Sequence, residues 1–467
     1  MGDEKLFDLF QREQEYLKEQ EQKNPELFIR TESVESAETL AKVGISFPFS
    51  QLPIGYLKYH PFDFIVEEIQ TDGRISSVGI AEENSSGLSA EDPTIYADLV
   101  KVGISTIDAV DELAKMLSID SKNIGTAGIK DQNALTSQRI SIRSARLDKV
   151  INLKPKNFLL QNLATGKGAI QLGSLTGNRF TIFVRTEKQI PQSAVEDQLS
   201  RARSAGFWNF YWLQRFGNRL LSHYWGLLLF RGDYQGAVRS YFCQPGNQDN
   251  PFYRQLRQQA AERFGDWPAL REMFEKLPYS LRYELTMLDH LIKRPDDYTG
   301  ALNTISDQIR LWVYAYASYL FNGLLSHYAN SGEKCPKNLP LVLSLDRADQ
   351  APYQAFLEAD GVPANFGKNL RPFPYIRLSH RVVNSQFEPE ILGVKSLPEG
   401  VLIAFNLDKG SYATTFLAHL FTLTGGLPVP HWLKPQKYDF KKLLGPGSIK
   451  NTFEMFKDYI VEKEKAV

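Results

Sequence analysis

Acid, amide and ring side chains that could do chemistry cluster in three short segments. The stretch "AGIKDQNALTSQRISI", residues 127 to 142, sets Asp131 beside Lys130 in a turn opened by Gly128. Ile140 and Ile142 then alternate with Arg139, Ser141 and Arg143, so Asp131 is expected in a loop entering a basic-faced strand. A loop aspartate commonly just shapes its own turn through an Asx hydrogen bond. The alternative use is chemical: neighbouring cations would keep the carboxylate ionised, which suits a nucleophile or electrostatic partner better than a general acid.

The second segment is "GFWNFYWLQRFGNR", residues 206 to 219. If 207 to 212 are extended, Phe207, Asn209 and Tyr211 point one way while Trp208, Phe210 and Trp212 point the other. Asn209 is either a structural amide that finds a partner in a core or one member of an amide-and-ring pair presented to a nucleobase. Arg215 and Arg219 stand nearby to meet phosphate. In the third segment, "KGSYATT" at 409 to 415, Gly410 permits a close backbone approach and Tyr412 adds a ring at a strand end. "GPGSIK" at 445 to 450 lacks the GxxxxGK[ST] spacing of a phosphate loop.

These segments need a folded frame. A chain of 467 residues, 43% hydrophobic and 12% aromatic, can bury a large core and favours two or three domains. Cys243 and Cys335 are the only cysteines, and neither lies in a CxxC pattern. Seven scattered histidines form no HExxH motif, so no metal and no cofactor is expected. No apolar run is long enough to span a membrane, and the opening "MGDEKLFDLF" is acidic and amphipathic, unlike a secretory signal. The expected location is the cytoplasm, or the nucleus in a eukaryote.

Net charge is zero, yet it is unevenly placed. Residues 1 to 40 hold 11 acids and 5 bases, whereas residues 120 to 220 hold 16 Lys and Arg against 6 Asp and Glu. The second block is either a solvated basic face or a footprint for phosphates.

Along the chain, the first 40 residues read as a charged, partly helical extension that need not join the core, with the fold beginning near Ile45. "GYLKYHPFDFIVEEIQ" is strand-like, with Phe64, Val66 and Glu68 on one face and Ile65 and Glu67 on the other. The polar "AEENSSGLSAEDP" reads as a surface loop. "TIYADLVKVGIST" is a strand, and Ser105 or Thr106 can cap a helix whose stripe is Ile107, Val110, Leu113, Ala114 and Leu117. "GNRFTIFVRTE" alternates with Phe180, Ile182 and Val184 on one face; helical patterns fill 218 to 330, and strands return at "GVLIAFNLDKGSYATT". Without regular βαβ alternation, this predicts an α+β body carrying a mainly helical insertion.

Taken together, "LKYHPFDFIVEE" (57 to 68), "TIYADLVKVGISTIDAVDELAKMLSI" (94 to 119), "AGIKDQNALTSQ" (127 to 138), "GNRFTIFVR" (177 to 185), "NFYWLQRFG" (209 to 217) and "DKGSYATTFL" (408 to 417) resemble the tRNA pseudouridine synthase D (TruD) family, in the family's order. The resemblance implies the pseudouridine synthase fold, a mixed, largely antiparallel sheet with flanking helices, interrupted by a mainly helical α/β insertion domain. The divisions expected from it are an extension at 1–45, a catalytic domain at 46–230 and 376–435, the insertion at 231–375 and a tail at 436–467. It also implies isomerisation of a uridine in RNA, with tRNA the expected partner and position 13 the site in bacterial relatives. The chain is expected to act as a monomer.

Residue by residue, Asp131 falls on the family's catalytic aspartate, and Phe64, Asn209, Tyr211, Tyr412 and Lys58 fall on substrate-contacting positions. Lys130, Gln214 and Arg215 fall on supporting ones. The chain departs from the family pattern at Tyr211 (usually Phe), Trp212 (usually Gly), Gln132 (usually a base), and Ala418 and His419 (usually Arg-Glu). Asp131 and Asn209 are kept, so activity is expected, while the altered rim leaves the particular RNA and uridine position open, with Gln132 the place where a shifted target would show. Two competing readings are an RNA-binding protein of the same fold without chemistry, and a hydrolase pairing Asp131 with Glu67 or Glu68.

Overall fold

The computed structural model describes residues 3–30, 33–46, 52–80, 88–434, 438–445 and 447–459. The stretch 81–87 of the expected polar loop, Pro446 of "GPGSIK" and the tail residues 436–437 and 460–467 lie outside these. The chain divides into two compact units. One comprises 1–31, 36–48 and 208–386, and the other comprises 32–35, 49–207 and 387–467. The division falls at 207/208 and 386/387, outside the expected insertion of 231–375, because the aromatic segment after Trp208 packs with the helices that follow it.

The second unit is built on a sheet of eleven strands among the described residues: β1 (Ser33–Val34), β2 (Ile54–Leu57), β3 (Phe64–Ile69), β4 (Thr94–Val102), β5 (Ile124–Thr126), β6 (Leu135–Arg143), β7 (Phe158–Gly166), β8 (Gly177–Arg185), β9 (Glu390–Leu397), β10 (Gly400–Asp408) and β11 (Thr422–Gly425). Their path is β1-β11-β2-β8-β3-β6-β4-β7, with β10 also on β8, β9 on β10 and β5 on β6. Pairing is parallel between β3 and β6 and between β2 and β11, and antiparallel elsewhere.

This mixed sheet is the expected α+β architecture, and it is covered on both faces. Ile95, Ala97 and Leu99 of β4 join Ile140, Ile142 and Phe158 in a core that includes Leu113 and Leu117 of the helix Thr106–Leu117. Val100 and Val102 take the opposite face and pack with Ile65, Leu135, Phe183, Phe440, Ile449 and Phe456. The described part of the expected tail therefore belongs to the core. Lys441 reinforces it, its Nζ 2.5 Å from Oε1 of the buried Glu67.

Double coverage explains several departures from simple alternation. All of Phe64 through Glu68 is buried, so β3 has no solvent face. Arg139, expected on a basic surface, is buried on β6 and pairs with Asp98 at 3.2 Å. "GYLKYHPFDFIVEEIQ" is two strands separated by a break. Lys58 adopts φ 56°, Pro61 starts a short 3-10 turn, and His60 and Asp63 cap each other's backbone. The helix Thr106–Leu117 is capped by Ser105 as expected, but Ala109 replaces the exposed Ile107 in its buried stripe.

The first unit is mainly helical. Its helix Ser306–Ser331 is buried on most sides through Trp312, Tyr316, Leu320, Phe321 and Leu324. The helix Ser222–Arg231 crosses it at Gly226, where a Cβ would stand 2.2 Å from the Trp312 carbonyl oxygen. The N-terminal segment joins this unit rather than standing apart. Glu13 of the helix Asp3–Lys23 is buried and accepts from the Tyr279 and Ser280 amides at 2.8 and 2.9 Å. Leu40, Val43 and Ile45 are also buried, so ordered packing begins upstream of the expected boundary.

Candidate active site

Asp131 lies in the loop between β5 and β6, whose ladder matches Thr126 with Ile140. Its side chain is 47% exposed and Lys58 Nζ stands 3.1 Å from its Oδ1. Lys58 follows β2 in a left-handed conformation that a lysine adopts only under constraint from its surroundings. The same ammonium lies 4.3 Å from the centroid of Phe64, the first residue of β3. Phe64 is buried, with Phe180 edge-on at 6.3 Å and Phe405 stacked on Phe180 at 5.3 Å. An aromatic floor, a cation and an accessible carboxylate are thus in series, which is the cation–π and ion-pair arrangement that holds an ammonium in place.

The loop's backbone is clamped by side chains from three elements. Gln138 of β6 donates from Nε2 to the Gly128 carbonyl at 3.0 Å, and the Lys130 amide donates to Thr106 Oγ1 at 2.9 Å. Thr106 Oγ1 donates in turn toward Gln138 Oε1 at 3.1 Å. Lys101 of β4 donates from Nζ to the Asp131 carbonyl at 2.8 Å. Lys130 turns inward to Glu68 Oε2 at 2.9 Å and Asn178 Oδ1 at 2.7 Å, so it supports the loop from beneath. The hydrolase alternative loses its second acid here, because Glu67 and Glu68 are buried and engaged by Lys441 and Lys130.

Two more loops reach the same end of the sheet. The Gly173 amide donates to the Ala127 carbonyl at 2.7 Å, and Lys409 Nζ donates to the Gly173 carbonyl at 3.3 Å. Tyr412, three residues on from Lys409, is half-buried, and its carbonyl accepts from the Phe416 amide at the start of the helix Ala413–Ala418. Asp131, Lys58, Phe64, Lys130 and Tyr412 therefore all belong to the second unit.

Asn209, Tyr211, Gln214 and Arg215 belong to the first unit. The extended run expected for 207 to 212 ends after Trp208. Phe207, Trp208, Phe210 and Trp212 are all buried, so the two-face alternation fails: the chain leaves the strand and enters a 3-10 turn at Leu213–Phe216. Asn209 is buried, with Nδ2 donating to the Asn384 carbonyl at 2.9 Å. Asn322 brackets Tyr211, accepting from its amide and donating to its carbonyl, both at 2.8 Å. The Tyr211 ring sits edge-on to Phe321 at 5.5 Å with the Arg215 guanidinium 5.0 Å from its centroid. Gln214 is exposed.

Of the five residues departing from the family pattern, Trp212, Ala418 and His419 are buried, Tyr211 is half-buried and Gln132 is exposed on the Asp131 loop. Three of these five positions therefore lie in a core, which leaves Gln132 and the half-buried Tyr211 as the departures that reach the surface. His419 shows how. Its ring is edge-on to Phe207 and Phe387, its Nδ1 bonds the Thr415 carbonyl at 2.7 Å, and burial lowers its pKa to about 4.

Of the loop-clamping residues, the sequence names Thr106 only as a possible helix cap and singles out neither Lys101 nor Gln138. The signal was Lys101 itself, a lysine between Val100 and Val102 in an apolar strand. Among the described residues, no group of three or more His, Cys, Asp or Glu is placed to hold a metal ion.

Comparison with known proteins identifies the frame. A profile of the family described as "TruD: tRNA pseudouridine synthase D (TruD)" matches residues 50–340. The chain is 32% identical over 275 residues to a protein named "Probable tRNA pseudouridine synthase D 1" of Methanocaldococcus jannaschii, covering 58% of this chain and 68% of that one. It is 27% identical over 397 residues to the "tRNA pseudouridine synthase D" of Geotalea daltonii, covering 78% and 95%. A crystal structure described as that of the putative tRNA pseudouridine synthase D (TruD) from Methanosarcina mazei superposes with a TM-score of 0.63, at 23% identity, over 82% of this chain and 97% of that one, and shares the fold. The chain belongs to the tRNA pseudouridine synthase D (TruD) family, whose members isomerise uridine to pseudouridine in tRNA.

Proposed function

We propose that this chain converts a uridine of tRNA to pseudouridine with the Asp131 carboxylate as nucleophile. The observation that carries the reading is the Lys58–Asp131 pair at 3.1 Å, exposed at the tip of a loop whose backbone is clamped on three sides. Pre-organisation of this kind suits a group that must meet one atom of a substrate at a fixed distance.

The reaction is an isomerisation. The bond between uracil N1 and ribose C1′ breaks, the base turns, and a new bond joins C5 to C1′. The hydrogen lost from C5 is balanced by the one gained at N1, so no oxidant, reductant or group donor is consumed. Asp131 attacks the sugar or the base, and Lys58 keeps the carboxylate aimed. Phe64 acts from below by holding Lys58.

A stacked uridine must leave its helix first, at a cost of a few kcal/mol. Ring contacts offset this, each about 1 to 3 kcal/mol. Tyr412, in the sheet unit that carries Asp131, is the ring proposed to meet the flipped uridine; in the helical unit, taken by itself, Asn209 and Tyr211, with the Arg215 guanidinium over the Tyr211 ring, are proposed as RNA contacts. The experiment is to incubate the purified chain with unmodified tRNA transcripts and map pseudouridine by a base-specific chemical probe. RNA binding without pseudouridine would support a non-catalytic member instead.

A further inference from the structure

Lys101 is completely buried in β4, directly beneath the loop that carries Asp131. Its Nζ lies 2.8 Å from the Ile104 carbonyl, 2.8 Å from the Asp131 carbonyl and 3.4 Å from the Lys130 carbonyl. An ammonium offers three hydrogens and no lone pair, so three carbonyl oxygens take up its whole capacity. A neutral amine offers two hydrogens and turns a lone pair toward the third oxygen, which is repulsive. The charged form is therefore the one that ties the loop backbone to β4 and to the start of the helix Thr106–Leu117.

We infer that Lys101 is a positioning residue for Asp131, and that its protonated ammonium fixes the loop backbone so that the carboxylate is held at attacking distance. The inference rests on the reading of Asp131 as nucleophile, and it assigns Lys101 no contact with RNA.

The environment makes this tether sensitive to pH. Burial lowers the Lys101 pKa to about 8, while Asp131 pulls it back up; Lys130 and Lys58 push it down, and Asp108 of the neighbouring helix pushes it up. The uncharged neighbour from β6 is Thr136, which pairs with Lys101 in the ladder. The folded value is below the ordinary 10.5, so between about pH 8 and 10.5 the unfolded chain holds a proton that the folded chain has released. In that window this group adds to folding stability as pH rises. The tether on Asp131 is lost as pH rises through the folded value of about 8, at the lower edge of that window. Activity and the Lys101 contribution to stability thus move in opposite directions, which a lysine that merely supported the fold would not produce.

The test compares the full-length chain with Lys101→Met, reading single-turnover pseudouridine formation, tRNA affinity and amide hydrogen exchange of residues 127–134. The variant is expected to react about a hundredfold more slowly, the scale of a displacement of about 1 Å at a reacting group, with tRNA affinity changed less than about twofold. The wild-type rate falls above about pH 8 and the variant's residual rate does not. Exchange across 127–134, corrected for its intrinsic pH dependence, quickens in the variant and in the wild type above the same pH. Lys101→Gln, which keeps a donor, takes the place of Lys101→Met if the latter does not fold, with the same directions expected. Unchanged exchange in 127–134 overturns the inference, as does a wild-type rate in the variant. If the wild type forms no pseudouridine at all, the functional reading fails, while the exchange measurement still decides whether Lys101 holds the loop.

Discussion

The Lys58 ammonium stands 3.1 Å from Asp131 Oδ1 and 4.3 Å from the Phe64 ring centroid, so a buried ring orients the cation that orients the exposed carboxylate. Lys58 reaches this place only by turning left-handed, at φ 56°, between two strands. Such strain is retained where the surroundings fix it, here the β2 strand on one side and the His60–Asp63 capping turn on the other. Lys58→Met keeps the stem over Phe64 and removes the charge. Single-turnover pseudouridine formation is expected to fall about a hundredfold while tRNA affinity changes far less. A loss confined to affinity would instead make Lys58 a phosphate contact.

Arg185 forms two bonds to Asp63, 2.7 and 2.9 Å, and both side chains are buried. Its guanidinium also lies 4.9 Å from the Tyr59 ring centroid and donates to the Lys434 carbonyl at 2.8 Å. Removing one member leaves the other charge buried alone. Arg185→Met is expected to cost about 3 to 5 kcal/mol of stability, measured by urea unfolding. A cost below about 1 kcal/mol would mean that water reaches Asp63 in the variant.

Burial lowers His419 from the ordinary 6.5 to about 4, and His223 in the helical unit is lowered to about 4 for the same reason. Between these values the unfolded chain binds a proton that the folded chain does not. The stability gained from keeping each ring neutral is thus fully present above about pH 6.5 and is lost as pH falls toward 4, by up to about 3 kcal/mol per ring. Unfolding followed across this range in the wild type and in His419→Leu should show a shallower acid slope in the variant. Equal slopes would contradict the burial assignment.

Much of this architecture is legible in the sequence. The Ser105 cap, the alternation of Phe180, Ile182 and Val184, and the apolar length of 308 to 329 each describe a local rule that the fold obeys. Asp131 is legible only in company, because a lone loop aspartate is an ordinary turn residue. What local patterns miss comes from long-range coverage. Arg139 looks like a surface cation until Asp98 from β4 meets it, and Lys101 looks misplaced until the loop closes over it. The 207 to 212 run looks like a strand until Asn322, more than a hundred residues away, captures the Tyr211 backbone.

Glu13 is the clearest case, since an acidic, Gln-rich segment gives no hint of a buried carboxylate. Its Oε2 serves the Tyr279 and Ser280 amides just ahead of the helix Arg282–Leu291, and its Oε1 pairs with the Ser280 hydroxyl. Glu13→Ala leaves those donors unmet, at about 1 to 3 kcal/mol. Limited proteolysis is expected to cut near residues 24 to 30 faster in the variant, with residues 208–386 remaining intact. Equal cutting rates would show that apolar contacts hold the segment without Glu13, such as Phe10 of the helix against Tyr279 and Phe28 of the following turn against Phe252.

The proposed reaction turns on attack by the Asp131 carboxylate. Asp131→Asn keeps the shape and the backbone clamp and removes the nucleophilic charge. Wild type and variant, matched for thermal stability and tRNA affinity, should be compared for pseudouridine formed in one turnover on the same transcript. Product is expected with the wild type and none with Asp131→Asn; product formed by the variant at the wild-type rate rules out Asp131 as the nucleophile.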